Sequence, residues 1–578
     1  MTQFSDFDLS QMDEAWQIKQ SEVVVRSLLR RTLDDLRAAR DSLNQNPNNS
    51  SRPSGSMPPW HRGETDKPSD GDPDNILLND DDASDVTDND THKHKHAQDD
   101  DCVTDTTAQT DQQTDVKDKL PANAPKSPGR PKGAPGYGRT QKLTPTNHEY
   151  HYPDQCAGCH CPFSEHDHTQ AWTGWDTLEL CPLETTTGQL GWRIEVTRHI
   201  LMQSTCHCGH ITQAKAKRAE EDPQWEGVNI SEQRLLGPLL AATVVYLSIR
   251  MRLPRYKVQE LMLDIFGLEI STALIDQTIK QTARSVEPLQ KELVEQLEQA
   301  ELAYADETSW AEGVIYLWFW VLFCSHTVLY FIGKRTKEMF DNALASTFTG
   351  ILMTDGYQVY RSRPNRLRCW AHLKRKLCGV AESTDRDAAR NGHAMLAIFK
   401  DLMLAVYNAR DQLKEAPPGQ KADPNTLPIT THANQVLELK KLCEQNSDAK
   451  HKALGEIARE FLNDWDVIMR VLAQPWLPLT NNAAERQLRH WVIARRISYG
   501  TRNLVGSNSL ALLASVIDTC KLRGADARNL LASAIHAARQ GLPAPALPAI
   551  PAHLLGRNRL DPSIKILSVR PQKHLKMS

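Results

Sequence analysis

Apolar residues recur every three or four positions across residues 16–43, through Ile18, Val25, Leu29, Leu36, Ala39 and Leu43, and predict an amphipathic helix. Such a stripe either forms a seam with a partner helix or packs on its own chain, and Glu22 and Thr32 at seam positions keep both readings open. The helical period returns over residues 231–300. Residues 235–246 are almost continuously apolar, Pro254 breaks the pattern, and residues 258–266, Gly267 and residues 271–282 read as helix, turn and helix with Ser271 as cap. The second helix is either a major-groove reader presenting Gln277, Lys280 and Gln281 or half of a plain helical hairpin.

After Ala300 the period falls to two. Strands are expected over residues 302–306, 315–323 and 328–332, then a helix over 337–346 and a strand over 350–354. Residues 314–333 nearly reach the length of a membrane span. Cys324-Ser325-His326-Thr327 interrupts them at the middle, where polar groups cost most, so the stretch reads as two strands around a turn and no membrane partner is expected. Strand, hairpin, helix, strand is the order of an RNase H-like core whose first and fourth strands are neighbours. Residues 381–473 are helical and polar with a Pro-rich break at 416–428, and a last helix starts after Pro478 with Thr480 or Asn481 as cap.

The expected fold is multidomain α+β, an RNase H-like α/β catalytic core carrying a helical insertion. Its parts are a helix or coiled coil (12–45), a disordered acidic linker with a basic Gly/Pro end (46–148), a zinc-binding region (149–225) and a helical, possibly DNA-binding helix-turn-helix segment (226–300). The catalytic core follows in two pieces (301–380 and 474–535) around the helical insertion (381–473), and a tail closes the chain (536–578).

Charge changes this picture in one respect. The whole chain carries −4, which argues against a nucleic-acid binder, but residues 46–120 hold 18 acids and 7 bases, a local −11. The remainder is therefore +7 with clustered Arg. That acidic stretch has few aromatics and cannot bury enough surface to fold. Within it, His92-Lys93-His94-Lys95-His96 reads as a solvated run or a weak metal contact. Ser127-Pro128-Gly129-Arg130-Pro131-Lys132-Gly133 resembles an AT-hook, in which Arg130 would enter an A·T minor groove, or is an ordinary basic linker. The first residues show no basic and apolar leader pattern, so a cytoplasmic, nucleoid-associated protein is expected.

Twelve cysteines without a secreted-domain pattern favour metal over disulfides. Cys156-x-x-Cys159 and Cys206-x-Cys208 supply four thiolates for a structural Zn²⁺, with His160, Cys161, His207 and His210 as rivals.

Three carboxylates carry the candidate chemistry. Asp306 ends a strand in Tyr304-Ala305-Asp306-Glu307-Thr308, Asp355 ends another in Thr354-Asp355-Gly356-Tyr357, and Glu485 lies one turn into the last helix in Asn481-Asn482-Ala483-Ala484-Glu485-Arg486. Together they form a cage for two Mg²⁺ or Mn²⁺ ions that would stabilise attacking and leaving oxygens in an in-line phosphodiester displacement. Arg361, Arg363, Arg366, Arg368, Lys374 and Arg375 follow the second Asp closely, and Arg486, Arg489, Arg495, Arg496 and Arg502 surround the third acid, both reading as phosphate-neutralising patches. Cys369-Trp370-Ala371-His372 lies inside the first patch. There His372 steers active-site geometry or packs beside Trp370, while Asn481 and Asn482 are further candidates for supporting the site.

These blocks, with Cys369-Trp370-Ala371-His372-Leu373-Lys374-Arg375 and Asp518-Thr519-Cys520-Lys521-Leu522-Arg523-Gly524, resemble the large transposase of the insertion sequence 66 family of bacterial DDE transposases. The resemblance implies a triad of Asp306, Asp355 and Glu485, double-stranded DNA as partner (terminal inverted repeats and target), a homodimer or higher oligomer, and small accessory proteins. The expected activity is metal-dependent strand cleavage and transfer. The alternatives are a catalytically silent DNA-binding regulator of transposase descent and an RNase H-type nuclease without strand transfer.

Overall fold

The computed structural model describes residues 22–43, 141, 143–164, 167–184, 190–415 and 423–555. The expected linker up to residue 140, the His92–His96 run, Arg130 and the tail beyond residue 555 lie outside these residues, while the expected linker's last two residues, 147 and 148, already belong to a strand. Helix α1 (Glu22–Leu43) carries the anticipated stripe, and Val25, Leu29 and Leu36 on it are exposed.

The first sheet is built from β1 (Asn147–His151), β2 (His168–Glu184), β3 (Leu190–Thr205) and β4 (Ile211–Gln213). β2 and β3 form a long antiparallel ribbon, β1 lies parallel to β3 on its other side, and β4 also pairs with β3. Gly174 allows this ribbon to close, because a Cβ there would stand 2.3 Å from the carbonyl oxygen of His199. The ribbon docks on the helices that follow through Glu179, which accepts hydrogen bonds from the backbone N–H groups of Leu239 (3.3 Å) and Leu240 (2.8 Å). These are first-turn donors of α2 (Pro238–Ile249), which have no partner within their own helix.

Next come α3 (Arg255–Phe266), α4 (Thr272–Val286) and α5 (Leu289–Glu298). Gly267 ends α3 in the left-handed conformation, and the Ser271 hydroxyl caps α4 by accepting from the Leu274 N–H. The helix-turn-helix outline is present, but α4 is a core helix over its second half: Ile279, Gln281, Thr282, Ala283, Ser285 and Val286 are buried. Gln281 therefore does not face DNA, and Lys280 is paired to Asp276 at 2.7 Å. The hairpin alternative fits this burial.

The second sheet has the order β7-β6-β5-β8-β9, from β5 (Leu302–Glu312), β6 (Ile315–Phe323), β7 (Val328–Gly333), β8 (Ile351–Thr354) and β9 (Arg366–Arg368). β5, β6 and β7 run antiparallel as a meander, while β5–β8 and β8–β9 are parallel. β5 runs six residues beyond the expected strand because β6 pairs with it along its whole length. The helix between β7 and β8, α6 (Lys337–Ala343), is shorter than expected and stops where Leu344 turns extended.

One face of this sheet is covered by α7 (Trp370–Ala381), α8 (Arg386–Glu415), α9 (Pro428–Thr431), α10 (Ala433–Asn446), α11 (Lys452–Asn463) and α12 (Trp465–Ala473). Trp370, Phe399 and Phe461 sit at the centre of their shared core with Met353 and Leu367 from the sheet. The remaining helices are α13 (Asn482–Ser498), α14 (Leu504–Leu522), α15 (Ala527–Gln540) and α16 (Ala552–Leu555). Trp491 of α13 packs on Phe319 and Tyr330 of the sheet.

Strand β7 is an edge, and α14 covers it with side-chain hydrogen bonds. The backbone N–H of Val328 donates to Thr519 Oγ1 (3.1 Å) and that of Tyr330 to Ser515 Oγ (2.8 Å), so the outward donors of the strand are satisfied without another strand. Asp518 accepts from Tyr330 Oη at 2.9 Å, and Arg523 donates to the His326 carbonyl (3.0 Å) and Thr327 Oγ1 (3.0 Å). The Asp518–Gly524 block is thus a sheet-edge lock. Among the described residues no helix is long and apolar enough to cross a membrane.

Thr519→Val keeps the shape but leaves the buried Val328 N–H without an acceptor. We expect urea denaturation to show a loss of about 1–3 kcal/mol, and stability equal to wild type would contradict the edge-lock account.

Candidate active site and metal centre

The parallel register of β5 and β8 matches Leu302 with Ile351, Ala303 with Leu352 and Tyr304 with Met353. Carried two residues further, it sets Asp306 opposite Asp355 on the same face of the sheet. Asp306 accepts the Glu307 N–H at 2.9 Å, and Asp355 accepts the Tyr357 N–H at 2.9 Å, which fixes the turn after β8. Gly356 is required in this turn: a Cβ would meet Glu460 Oε1 at 2.5 Å and an Arg368 guanidinium nitrogen at 2.6 Å.

Glu485 reaches the same place from α13, and Asn481 sets that approach. Asn481 is fully buried; its Nδ2 donates to the Ala305 carbonyl at 2.9 Å, and its backbone N–H donates to Cys369 Sγ at 3.2 Å. The start of α13 is thereby pinned to the strand residue preceding Asp306. Cys369 in turn donates its N–H to the Thr354 carbonyl at 2.9 Å, the residue preceding Asp355. Asn482, the first residue of α13, is partly buried beside this anchor.

The electrostatics follow from crowding. Burial, then Asp355, Glu307 and Glu485, push the Asp306 carboxyl well above the ordinary range. Glu307, facing away from Asp306, is also driven up, to about 7, first by burial and then by Asp355, although Arg335 and the Tyr360 hydroxyl bind it. Arg335 lies between the rings of Tyr357 (3.7 Å) and Trp318 (4.2 Å). Sequence reasoning missed this Glu307–Arg335–Tyr360 support because its members come from three separate segments.

Glu485 is partly exposed and lies 3.4 Å from an Arg375 guanidinium nitrogen and 3.7 Å from His372 Nδ1. Burial, then Arg375, Lys376 and Arg368, push His372 down to about 3, so its ring is neutral at physiological pH. His372 Nδ1 is buried without a hydrogen-bond partner and lies on the Glu485 side. Trp370, its neighbour in the motif, points into the helical core and donates to the Ile468 carbonyl at 3.0 Å. His372 therefore faces the acids while Trp370 does not.

The expected basic patch divides in two. Arg363, Arg366 and Arg368 are buried: Arg366 and Arg368 grip Asp464, Arg368 also binds Glu460, and Arg363 binds Asp341 at 2.7 Å. These three are corrected from phosphate contacts to internal ties, since a guanidinium sealed against carboxylates has no face for DNA. Arg495 is likewise a strap, donating to Thr308 Oγ1 (3.0 Å), Ser309 Oγ (2.6 Å) and the Ser309 carbonyl on β5. Arg361, Arg489, Arg496 and Arg502 are exposed, and Lys374, Arg375 and Arg486 are partly so. Arg361 also lies 3.8 Å from Asp464.

One candidate metal centre lies away from the acids. Cys156, Cys159, Cys206 and Cys208 have mutually close sulfurs (Cys156–Cys208 3.6 Å, Cys159–Cys206 3.5 Å), near the edge of about 3.8 Å that Zn–S bonds of about 2.3 Å give a tetrahedron. This group can hold a metal such as zinc. The three acids are spread more widely than the sets of ligand atoms within 4.8 Å of one another among the described residues. A pair of ions about 3.5–4 Å apart is itself spanned by ligands that do not all reach one ion.

Comparison with known proteins shows what this chain is similar to. The sequence profile of the "Transposase IS66 family" matches residues 233–509, which contain all three acids. Uncharacterized protein y4qI of Sinorhizobium fredii (strain NBRC 101917 / NGR234) is 24% identical over 328 residues, 52% of this chain and 59% of that protein. Uncharacterized protein y4jD of the same strain is 26% identical over 219 residues, 36% of this chain and 40% of that protein. The chain thus matches well under two thirds of the length of either relative.

Asp306 with a raised native pKa destabilises the metal-free fold once it ionises. That penalty is present at neutral pH and disappears as pH falls through the raised native value toward the unfolded value of about 3.9. Asp306→Asn should therefore unfold at higher urea than wild type in EDTA at pH 7, and the gap should close near pH 4. Equal stability at both pH values would contradict the crowding.

Proposed function

We propose, from the match of residues 233–509 to the IS66 transposase family, that the chain is a DNA transposase with an RNase H-like catalytic core, cleaving strands at the terminal inverted repeats of its element and joining them to target DNA. The observation that carries this reading is the crowding of Asp306, inside β5, with Asp355, just past the end of the parallel neighbour β8, and Glu485 on a pinned helix. Oxygen donors massed where burial already disfavours their charge suit hard divalent cations such as Mg²⁺ or Mn²⁺. Asp306 and Asp355 would be shared ligands and Glu485 would complete the set. When bound, such ions supply Lewis acidity toward the water and the scissile phosphate.

The protein's own groups perform the rest. Asn481 holds Glu485 in register with Asp306, and Glu307, Arg335 and Tyr360 fix the strand behind it. Arg375 offers its cation to Glu485 or, when a ligand cation takes that carboxylate, to a phosphate. Neutral His372 beside Glu485 accepts or donates one hydrogen bond without adding charge. The exposed Arg361, Arg489, Arg496 and Arg502 would neutralise DNA phosphates. In the same reading the cysteine group binds zinc, the exposed stripe of α1 pairs subunits, and residues 149–300 contact the element ends.

The test is a purified-protein assay on duplexes carrying the repeats that flank the gene, with Mg²⁺ or Mn²⁺. Asp355→Asn and Glu485→Gln should each reduce nicking at least about 100-fold, the scale on which a lost electrostatic contact to the transition state is felt. Undiminished cleavage by either variant would refute the assignment. Cleavage without joining would select the nuclease reading, and binding without nicking the silent regulator.

The basic surface makes a separate prediction. Arg489→Ala and Arg502→Ala should each flatten the dependence of log K on log salt by roughly 0.9, measured by fluorescence anisotropy. A slope left unchanged in both variants would exclude the surface of Arg489 and Arg502 from the DNA path.

A further inference from the structure

Away from the acids and the cysteine group, Glu149, His151 and His199 bring three ligand atoms together on the first sheet. Glu149 and His151 are alternate residues of β1 and share a face, and the β1–β3 register sets Glu149 against His199. His199 Nδ1 lies 3.0 Å from His151 Nε2 and 3.1 Å from Glu149 Oε2. One Nδ1–H cannot satisfy both neighbours at good geometry, whereas three lone pairs converging on one point are what a cation resolves. For bonds of about 2.0–2.1 Å to nitrogen and oxygen a tetrahedral edge is about 3.3–3.4 Å, so both distances from His199 Nδ1 lie within a few tenths of an ångström of it.

The rings are also held in place. Trp175 of β2 stacks on His199 at 4.6 Å and 14° and on His151 at 5.4 Å and 20°. The imidazoles are half-buried and the Glu149 carboxylate is exposed, which gives an ion a path from solvent and leaves room for a water as fourth ligand. We propose that Glu149, His151 and His199 form a second metal site, separate from the cysteine group, that takes a borderline divalent ion of the zinc class. Two imidazoles and one carboxylate suit Zn²⁺ better than Mg²⁺ or Ca²⁺, which prefer all-oxygen shells. Its effect is to staple β1, a five-residue strand joined to the sheet only through β3, onto the long ribbon.

The experiment counts zinc per chain by mass spectrometry of the full-length protein after dialysis against buffered Zn²⁺. All chains carry His92→Gln, His94→Gln and His96→Gln, so that the histidine run does not contribute. The reference chain should hold one ion more than the cysteine group accounts for. His151→Gln and Glu149→Gln should each weaken that ion's binding at least about tenfold, the lower bound for loss of even an outer-shell partner. In parallel samples of the same chains loaded with Co²⁺, the Co²⁺–thiolate charge-transfer band of the cysteine group should be unchanged, which shows that the region is still folded. Cys206→Ser should weaken that band and leave the second ion in place. Equal zinc content in the reference, His151→Gln and Glu149→Gln chains would overturn the proposal, as would zinc that responds only to Cys206→Ser.

Discussion

Like-charge crowding where β5 lies beside the end of β8 is the constraint around which the candidate site is arranged. Asp306 and Asp355 face each other because β5 and β8 pair without a bulge, and Glu485 joins them because Asn481 ties α13 to Ala305. A desolvated carboxylate beside two others is costly in the absence of a cation. A fold does not place acids this way for stability, and the surrounding structure offsets that cost with a dense aromatic core.

Much of the apparent DNA-binding charge belongs to this scaffold. Asp464 and Glu460 bind Arg366 and Arg368 directly behind the Asp355–Gly356 turn, and Lys376 adds a contact to Glu460 at 2.7 Å. The helical insertion is thereby connected electrostatically to the strand ends that carry the acids. Replacing one partner of such a cluster strands a buried charge, so these residues bear on the candidate site by holding it rather than by meeting a ligand.

The sequence was informative wherever chemistry and periodicity coincided in one short segment. The strands around Asp306 and Asp355, the helix of Glu485, the Ser271 cap and the meander at 315–333 could all be read locally, because each is set by alternation, a turn or a cap. The two cysteine pairs were legible from spacing, and they do meet in space. What could not be read depended on partners far away in the chain. Arg363, Arg366 and Arg368 look like a phosphate patch until Asp341, Glu460 and Asp464 are brought to them, the last two from the insertion. Gln281 looks like a base reader until the helices packed around α4 bury it. Glu149, His151 and His199 drew no notice because their 48-residue separation becomes adjacency only through a parallel strand pairing.

The central claim is that the three acids jointly hold a divalent cation. Iron(II) in place of Mg²⁺, with ascorbate and peroxide, generates hydroxyl radicals that cut the polypeptide beside the bound ion. The account predicts backbone scission clustered near residues 306, 355 and 485, suppressed by excess Mg²⁺ and lost together at all three places in Asp355→Asn. Cuts confined to the cysteine and histidine region, or cuts near 306 and 355 that never include 485, would contradict it.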